Sequence, residues 1–155
     1  ESLTIHDTPL DDWNRHFNIN LTAPFLLSQA FAKHIAQAAV PGGEVKGRIV
    51  NILDWRATHP GADHFPYTVS KSALAAMTKS LAIALAPHIT VNGLALGAIL
   101  PPADNLSASE KIIEAVPAQR WSEAGEVEEA LLFLLSGPAY ITGEIIHVDG
   151  GRHLV

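Results

Sequence analysis

Apolar side chains recur at helical spacing through the first long segment of the chain, from Trp13 to about Ala39. Asp11 and Asp12 precede this segment, and acidic residues are favoured where a helix begins. We therefore expect one long helix here. The Gly and Pro content of residues 41–47 predicts a loop after it.

Two short runs of apolar and β-branched residues, Arg48–Leu53 and Ile89–Leu94, are typical of buried parallel strands. The segment Tyr67–Ala86 lies between them and contains neither Gly nor Pro. It ends at Pro87, which predicts a long helix with a sharp stop. The intervening residues 55–66 hold two prolines and a glycine and are predicted to form a loop.

The last third of the chain predicts an irregular stretch at 97–105, helices at Ser107–Ala115 and Glu126–Ser136, and a strand at Glu144–Val148. Strands that alternate with helices indicate an α/β fold with a doubly wound parallel sheet, Rossmann-like in type. Such sheets usually have more strands than the sequence predicts. We therefore expect residues 1–155 to form a single partial domain whose remaining strands come from elsewhere.

Composition narrows the class of protein. Only 17% of the 155 residues are charged, so we expect part of the surface to be covered by a partner or by further sequence. The net charge of −6 argues against nucleic acid, and no basic cluster is present to bind an anionic membrane surface. No apolar run has the length that a bilayer requires, and no leader peptide is recognisable. The expected location is cytoplasmic.

Tyr67 and Lys71 are the first candidates for chemistry. Their i, i+4 spacing at the start of the best helix places both side chains on one face. An ammonium beside a phenol lowers the pKa of the phenol, which then serves better as a general acid. Such pairs also occur by chance on many helices. Asp54 follows a predicted strand, at the end where ligands bind in open α/β sheets, so it is expected to converge with Tyr67; the alternative is a turn-forming carboxylate.

Five segments in order, NINLTAPF, GRIVNI, YTVSK, ITVNGLALGAI and ITGEIIHVDGG, resemble the short-chain dehydrogenase/reductase family from Trp13 onward. The resemblance implies that Tyr67 gives a proton to the substrate as hydride arrives from a nicotinamide. Lys71 would hold the nicotinamide ribose hydroxyls and lower the pKa of Tyr67. Asn20 would kink a helix and anchor a water molecule that leads to the lysine.

The resemblance also implies a cofactor, NADP or NAD with NADPH preferred, and a site beyond the second strand for it. Gly97, Ile99 and Leu100 match the nicotinamide side of the family's site, with Ile99 at the backbone position that bonds the carboxamide. Leu100 and Trp55 would line the substrate pocket together with Asp54 and Tyr67. The residues that follow, to about Ala115, match a mobile substrate lid.

Departures from the family pattern carry information about the substrate. Asp54 occupies a position that is usually serine, thirteen residues before the tyrosine, and this resembles the pteridine reductases, which reduce ring C=N bonds with NADPH. A pterin substrate is therefore preferred, with Asp54 helping to relay a proton. One alternative is a carbonyl or 3-oxoacyl reductase in which Asp54 is incidental. The other is a non-catalytic member that serves as a binding or assembly module.

No glycine-rich dinucleotide fingerprint occurs in the sequence. The resemblance implies that the βαβαβ half that binds the adenosine precedes Glu1, so we expect a longer enzyme. It also implies a homo-oligomer, a tetramer or dimer, acting on a small-molecule substrate. His59, Asp63 and His64 share a loop, but their spacing matches no standard ligand pattern and no metal site is predicted.

Overall fold

The computed structural model of the chain describes residues 2–37, 45–101, 106–123 and 125–155. These residues form a parallel three-stranded sheet in the order β1-β2-β3, flanked by helices. The strands are β1 (Gly47–Asp54), β2 (Ile89–Leu96) and β3 (Ile145–Val148). The expected Rossmann-like α/β class is thereby confirmed, and β1 and β2 extend slightly beyond their predicted ends.

The register of the sheet determines where the site lies. Asp54 pairs with Leu96 across β1 and β2, and Leu96 pairs with Val148 across β2 and β3. The carboxyl ends of the three strands therefore meet at one edge of the sheet. In parallel sheets this edge is where ligands bind.

The first helical segment is interrupted rather than continuous. Helix α1 spans Leu10–Phe17, a π-helical turn spans Asn18–Thr22, and helix α2 spans Ala23–Gln37. The segment begins earlier than predicted: Pro9 is the extended N-cap residue, and Asp11 and Asp12, which were expected to precede the helix, lie in its first turn. The predicted end at Ala39 lies outside the described residues.

Helix α3 spans Phe65–Leu85, so it begins before the predicted Tyr67. The difference arises at Pro66, which was predicted to lie in the loop. It occupies the first turn of the helix, where a proline is well tolerated. The helix ends where Ala86 becomes extended before Pro87, as the steric demand of a proline on its predecessor requires.

The remaining helices are α4 (Leu106–Glu114) and α5 (Glu126–Ser136), both close to their predicted bounds. Short 3₁₀ turns follow β1 at Trp55–Ala57 and β3 at Arg152–Leu154. The first lies inside the predicted loop at 55–66.

The core has two sides. Leu53, Leu74, Ala75 and Ala95 form a buried cluster between the sheet and α3, and Val91 packs with residues of α2 and α3. On the opposite face, Arg48 of β1 reaches the carbonyl oxygens at the end of α5.

Among the described residues, no helix combines the length and the apolar character that crossing a membrane requires.

Candidate active site

Asp54 ends β1 and begins the next turn. Its Oδ1 atom accepts a hydrogen bond from the backbone N–H of Arg56 at 2.8 Å, so the carboxylate caps the 3₁₀ turn Trp55–Ala57. This bond fixes the side-chain orientation and leaves the second carboxylate oxygen directed elsewhere. The turn-forming role that we considered as an alternative is therefore real, but it occupies one oxygen.

The second oxygen of Asp54 meets Tyr67. The phenol hydroxyl donates to Asp54 Oδ2 at 3.1 Å, which brings the two predicted residues together at the carboxyl edge of the sheet. Burial raises the pKa of Tyr67, and the negative charge and hydrogen bond of Asp54 raise it further, while the charge of Arg56 opposes them. The phenol is therefore held in its protonated form.

This result corrects one expectation. The sequence predicted that Lys71 lowers the pKa of Tyr67, whereas burial and Asp54 dominate and the pKa rises. The lysine Nζ atom lies 5.8 Å from the centre of the Tyr67 ring, so the two side chains do share one face of α3. The ammonium, however, donates its hydrogen bond to the carbonyl oxygen of Ile52 at 2.8 Å. Burial lowers the pKa of Lys71, and Asp54 partly offsets this effect.

Asn20 lies in the π-helical turn. Its amide Nδ2 donates to Ser70 Oγ at 3.0 Å, and Ser70 Oγ donates to the Tyr67 carbonyl oxygen at 2.7 Å. Asn20 and Lys71 both line an open cleft of about 420 Å³ beside β1. Single π-helical turns are frequent at functional sites, and here the turn directs an amide toward the helix that carries Tyr67.

The predicted cofactor-side residues lie at the end of β2. Gly97 packs so closely on the C-terminal segment that a Cβ atom would lie 2.6 Å from the Asp149 Cα, and its N–H donates to Val148 O at 3.0 Å. Close packing alone therefore requires glycine here. Ile99 is half-buried, and Leu100 is exposed. Residues 102–105 of the predicted lid lie outside the described residues.

Two arginines, Arg56 and Arg152, contact the ring of Trp55. The guanidinium carbons of Arg56 and Arg152 are each 4.9 Å from its ring centre, and the His59 ring centre is 5.8 Å away. The ring of Trp55 is thus stacked with protein groups, and its place in the substrate pocket stays a prediction.

The loop that contains Asp63 is held by an ion pair. Arg56 donates to both carboxylate oxygens of Asp63, at 2.7 and 3.0 Å, and His64 Nδ1 lies 3.0 Å from Oδ2. The Arg56 hydrogen bond is the main reason that the pKa of Asp63 falls to about 2. In the part of the chain that the structure describes, no group of three or more metal-binding side chains is arranged around a common point.

Two residues near the site were missed by the sequence analysis. The His16 ring packs edge-on to Tyr67 with ring centres 5.9 Å apart, and its Nε2 lies 3.6 Å from Asp12 Oδ2. Arg152 contacts Trp55 from the C-terminal segment. His16 follows Asp12 at helical spacing, which was a usable signal; nothing in the sequence linked Arg152 to Trp55.

The sequence of the chain is similar to those of known proteins. A family model described as enoyl-(acyl carrier protein) reductase matches residues 2–153. Protein FixR of Bradyrhizobium diazoefficiens is 35% identical over 99% of the chain, and pteridine reductase 1 of Leishmania tarentolae is 39% identical over 89% of it. These matches cover 54% and 49% of the two relatives, so the chain spans about half of their length.

A solved structure gives the same result. The chain superimposes over its whole length on the crystal structure of FolM alternative dihydrofolate reductase 1 from Brucella canis complexed with NADP, with a TM-score of 0.85 and 35% identity. The match covers 59% of that chain. The structural match therefore agrees with the sequence matches.

Proposed function

The chain belongs to the short-chain dehydrogenase/reductase family, and we propose from this premise that it is an NAD(P)H-dependent reductase with Tyr67 as its proton donor. The observation that carries the proposal is the hydrogen bond from the Tyr67 hydroxyl to Asp54 Oδ2, 3.1 Å long, at the carboxyl edge of the sheet. A general acid must be protonated and within reach of the reacting atom. The raised pKa of Tyr67 keeps the hydroxyl protonated. Because a general acid is most efficient with a pKa near the working pH, the proposed step needs the Lys71 ammonium to lower that pKa when the substrate is bound.

The donor groups present fit a nicotinamide nucleotide. An ammonium has three N–H donors, and the Ile52 carbonyl oxygen accepts one from Lys71, so others remain for ribose hydroxyls. Tyr67 lies one helical turn away and offers a hydroxyl on the same face. When bound, the nucleotide supplies hydride to the substrate carbon. Ile99 and Leu100, at the end of β2, are the proposed backbone contacts on the nicotinamide side.

The residues of the chain then handle the proton. Tyr67 transfers its hydroxyl proton to the nitrogen or oxygen of the substrate double bond, and the negative charge left on the phenolate is stabilised by the Lys71 ammonium. Asn20 supports this arrangement through Ser70, whose hydroxyl is bonded to the Tyr67 backbone. We propose that Asn20 keeps the first turns of α3 aligned with the cleft that Lys71 faces.

We further propose that the substrate is a pterin, reduced at a ring C=N bond. An ionised carboxylate only accepts hydrogen bonds, so Asp54 offers nothing to a ketone oxygen but matches the N–H groups of a pterin ring. The similarity to pteridine reductase 1 and to the dihydrofolate reductase from Brucella canis supports this substrate class, and the NADP in the latter structure supports NADPH. A carbonyl or 3-oxoacyl reductase is the second candidate.

Replacing Asp54 by serine separates the two candidates. In the pterin proposal Asp54 also relays a proton together with Tyr67, and a positioned acid–base group contributes about 10²–10⁴ in rate, so we expect the Asp54→Ser protein to lose pterin turnover by about a hundredfold or more. The measurement is kcat/KM for a dihydropterin and for a small ketone, with NADPH. Unharmed pterin turnover together with improved ketone reduction would reject the pterin proposal.

A fluorescence titration of the full-length protein, with the expected adenosine-binding half, against NADPH tests the third possibility. A binding or assembly module would show no nicotinamide binding at all, and that result would overturn the reductase proposal.

We also propose a homo-oligomer in the cytoplasm, with residues 1–155 as the catalytic and substrate-binding part of one Rossmann-like domain. Exposed leucines on α2, Leu26 at 55% and Leu27 at 71%, support a covered helix face.

A further inference from the structure

The segment after β3 folds back over the carboxyl edge of the sheet and is itself firmly held. The Asp149 carboxylate is 6% exposed and accepts bonds from the backbone N–H groups of Gly151 and His153, at 3.0 and 2.9 Å. His153 Nδ1 lies 2.7 Å from the same carboxylate, and Gly97 packs directly against the Asp149 backbone. Arg152 therefore projects from a fixed base.

Arg152 links this base to two other segments. Its guanidinium lies 4.9 Å from the ring centre of Trp55, and its Nη1 atom donates to the carbonyl oxygen of Ala115, just after α4. One side chain thus joins the turn that follows β1 to the end of α4. A guanidinium can do both because its planar face stacks while its edge donates.

A second contact ties the same turn to β3. Thr58 Oγ1 lies 2.9 Å from His147 Nε2, and the His147 ring stacks on His153 with centres 3.9 Å apart. Residues 55–58 are therefore held at both ends by groups from β3 and the segment beyond it. The Arg56 N–H that fixes Asp54 Oδ1 belongs to this turn.

We propose that Arg152 is a positioning residue for Asp54, acting through Trp55 and the 3₁₀ turn. The inference rests on the proposed function, in which Asp54 must present one oxygen to Tyr67 and the substrate. The Asp54 carboxylate makes one bond to the turn and one to Tyr67. A turn that shifts would break the first bond and leave the carboxylate free to rotate away from the second.

Three variants separate the contacts of Arg152. Arg152→Ala removes both, Arg152→Lys keeps a cation near Trp55, and Arg152→Gln keeps a donor for the Ala115 carbonyl but removes the charge. Arg120→Ala is the matched control, because Arg120 is an exposed arginine whose carboxylate partner, Glu126, is also at the surface. Each protein is compared by hydrogen exchange of the 55–58 amides and by kcat and KM.

We expect Arg152→Ala to speed exchange of the Arg56 amide by about two- to thirtyfold, the range that loss of a cation–π contact gives. The kcat should fall by about tenfold or more with little change in KM, because a small misplacement of a reacting group costs up to about a hundredfold. Arg152→Lys keeps a cation but loses the planar face, so it should restore part of both values, and Arg152→Gln should restore neither. If the alanine variant does not fold, the Lys and Gln variants still give this contrast.

Unchanged exchange at Arg56 in both the alanine and glutamine variants would overturn the proposal, as would a kcat equal to that of Arg120→Ala. Exchange does not depend on activity. If the wild-type protein reduces neither pterins nor ketones while Arg152→Ala still releases the Arg56 amide, the proposed function fails and the link from Arg152 to the turn stands.

Discussion

The two ends of the parallel sheet both carry a cation that donates to backbone carbonyl oxygens, and they differ in what surrounds it. At the amino end, Arg48 donates to Leu134 O at 3.1 Å and Gly137 O at 2.8 Å, and thereby satisfies the last carbonyls of α5. At the carboxyl end, Lys71 donates to Ile52 O and lies beside a phenol and a carboxylate that share a hydrogen bond.

The difference separates a structural cation from a candidate catalytic one. Arg48 meets the carbonyls of α5 with two of its nitrogens, so its contacts stabilise the fold. Both cations line the open cleft beside β1, so the cleft does not distinguish them. Lys71 differs in lying beside Tyr67, whose pKa is raised by burial and by Asp54. Titratable groups that shift the pKa of one another are typical of functional sites. Loss of activity should therefore follow changes at one end, and loss of stability changes at the other.

The largest expected effect is that of Tyr67→Phe, which removes the proposed proton donor and keeps the ring. The kcat for the pterin should fall by about 10²–10⁴, the usual contribution of a general acid, while the far-ultraviolet circular dichroism stays the same. Tyr140→Phe is the matched control, because it makes the same chemical change at a fully exposed ring. If Tyr67→Phe kept the wild-type kcat, Tyr67 would not be the proton donor. The groups at the carboxyl end of the sheet would then have a structural role only, like Arg48 at the amino end.

Arg48→Ala should show the opposite behaviour. We expect the free energy of unfolding to fall by roughly 1.5–3 kcal/mol, the value of a hydrogen bond made by a charged group, because carbonyls at the end of α5 lose their donor. Urea denaturation measures this change, with Lys79→Ala, an exposed cation on α3, as the control. A fall in kcat at temperatures where the variant is folded would contradict the assignment.

Much of the fold followed from local patterns. The strands at 47–54 and 89–96 contain the apolar and β-branched runs that predicted them, and α5 has the bounds that its periodicity predicted. The meeting of Asp54 with Tyr67 was predictable too, because each lies where a strand ends or a helix begins. These features depend on residues close together in sequence or on the general geometry of parallel sheets.

The features that could not be predicted depend on contacts between residues far apart in the chain, or on effects that oppose one another. The contact of Arg152 with Trp55 joins residues far apart in the chain, and no periodicity encodes it. The pKa of Tyr67 was predicted in the wrong direction, because spacing reveals a neighbouring lysine but neither the depth of burial nor the partner that the ammonium chooses. The π-helical turn at 18–22 is not encoded by the apolar periodicity either, and only the resemblance, which implied a kink at Asn20, pointed to it.

The smallest expected effect comes from the Arg56–Asp63 ion pair, which lies at the carboxyl end but is largely open to solvent, with the Asp63 side chain 46% exposed. The hydrogen bond from Arg56, which forms only in the folded protein, is the main reason that the pKa of Asp63 is lowered from 3.8 to about 2. A group with a lowered folded-state pKa stabilises the protein above its unfolded pKa and loses that contribution as the pH falls through the folded value. The pair should therefore contribute at neutral pH and fade between about 4 and 2.

Comparison of Asp63→Asn with the wild type tests this sign. At pH 7 the variant should be less stable by no more than about 1 kcal/mol, since solvent screens exposed pairs, and the difference should shrink as the pH approaches 2. Urea midpoints at several pH values measure it, with Glu110→Gln, an exposed carboxylate on α4, as the control for net charge. A difference that grows toward low pH would show that Asp63 favours the fold in its protonated form, and the Arg56 ion pair would then not be what holds this loop beside the site.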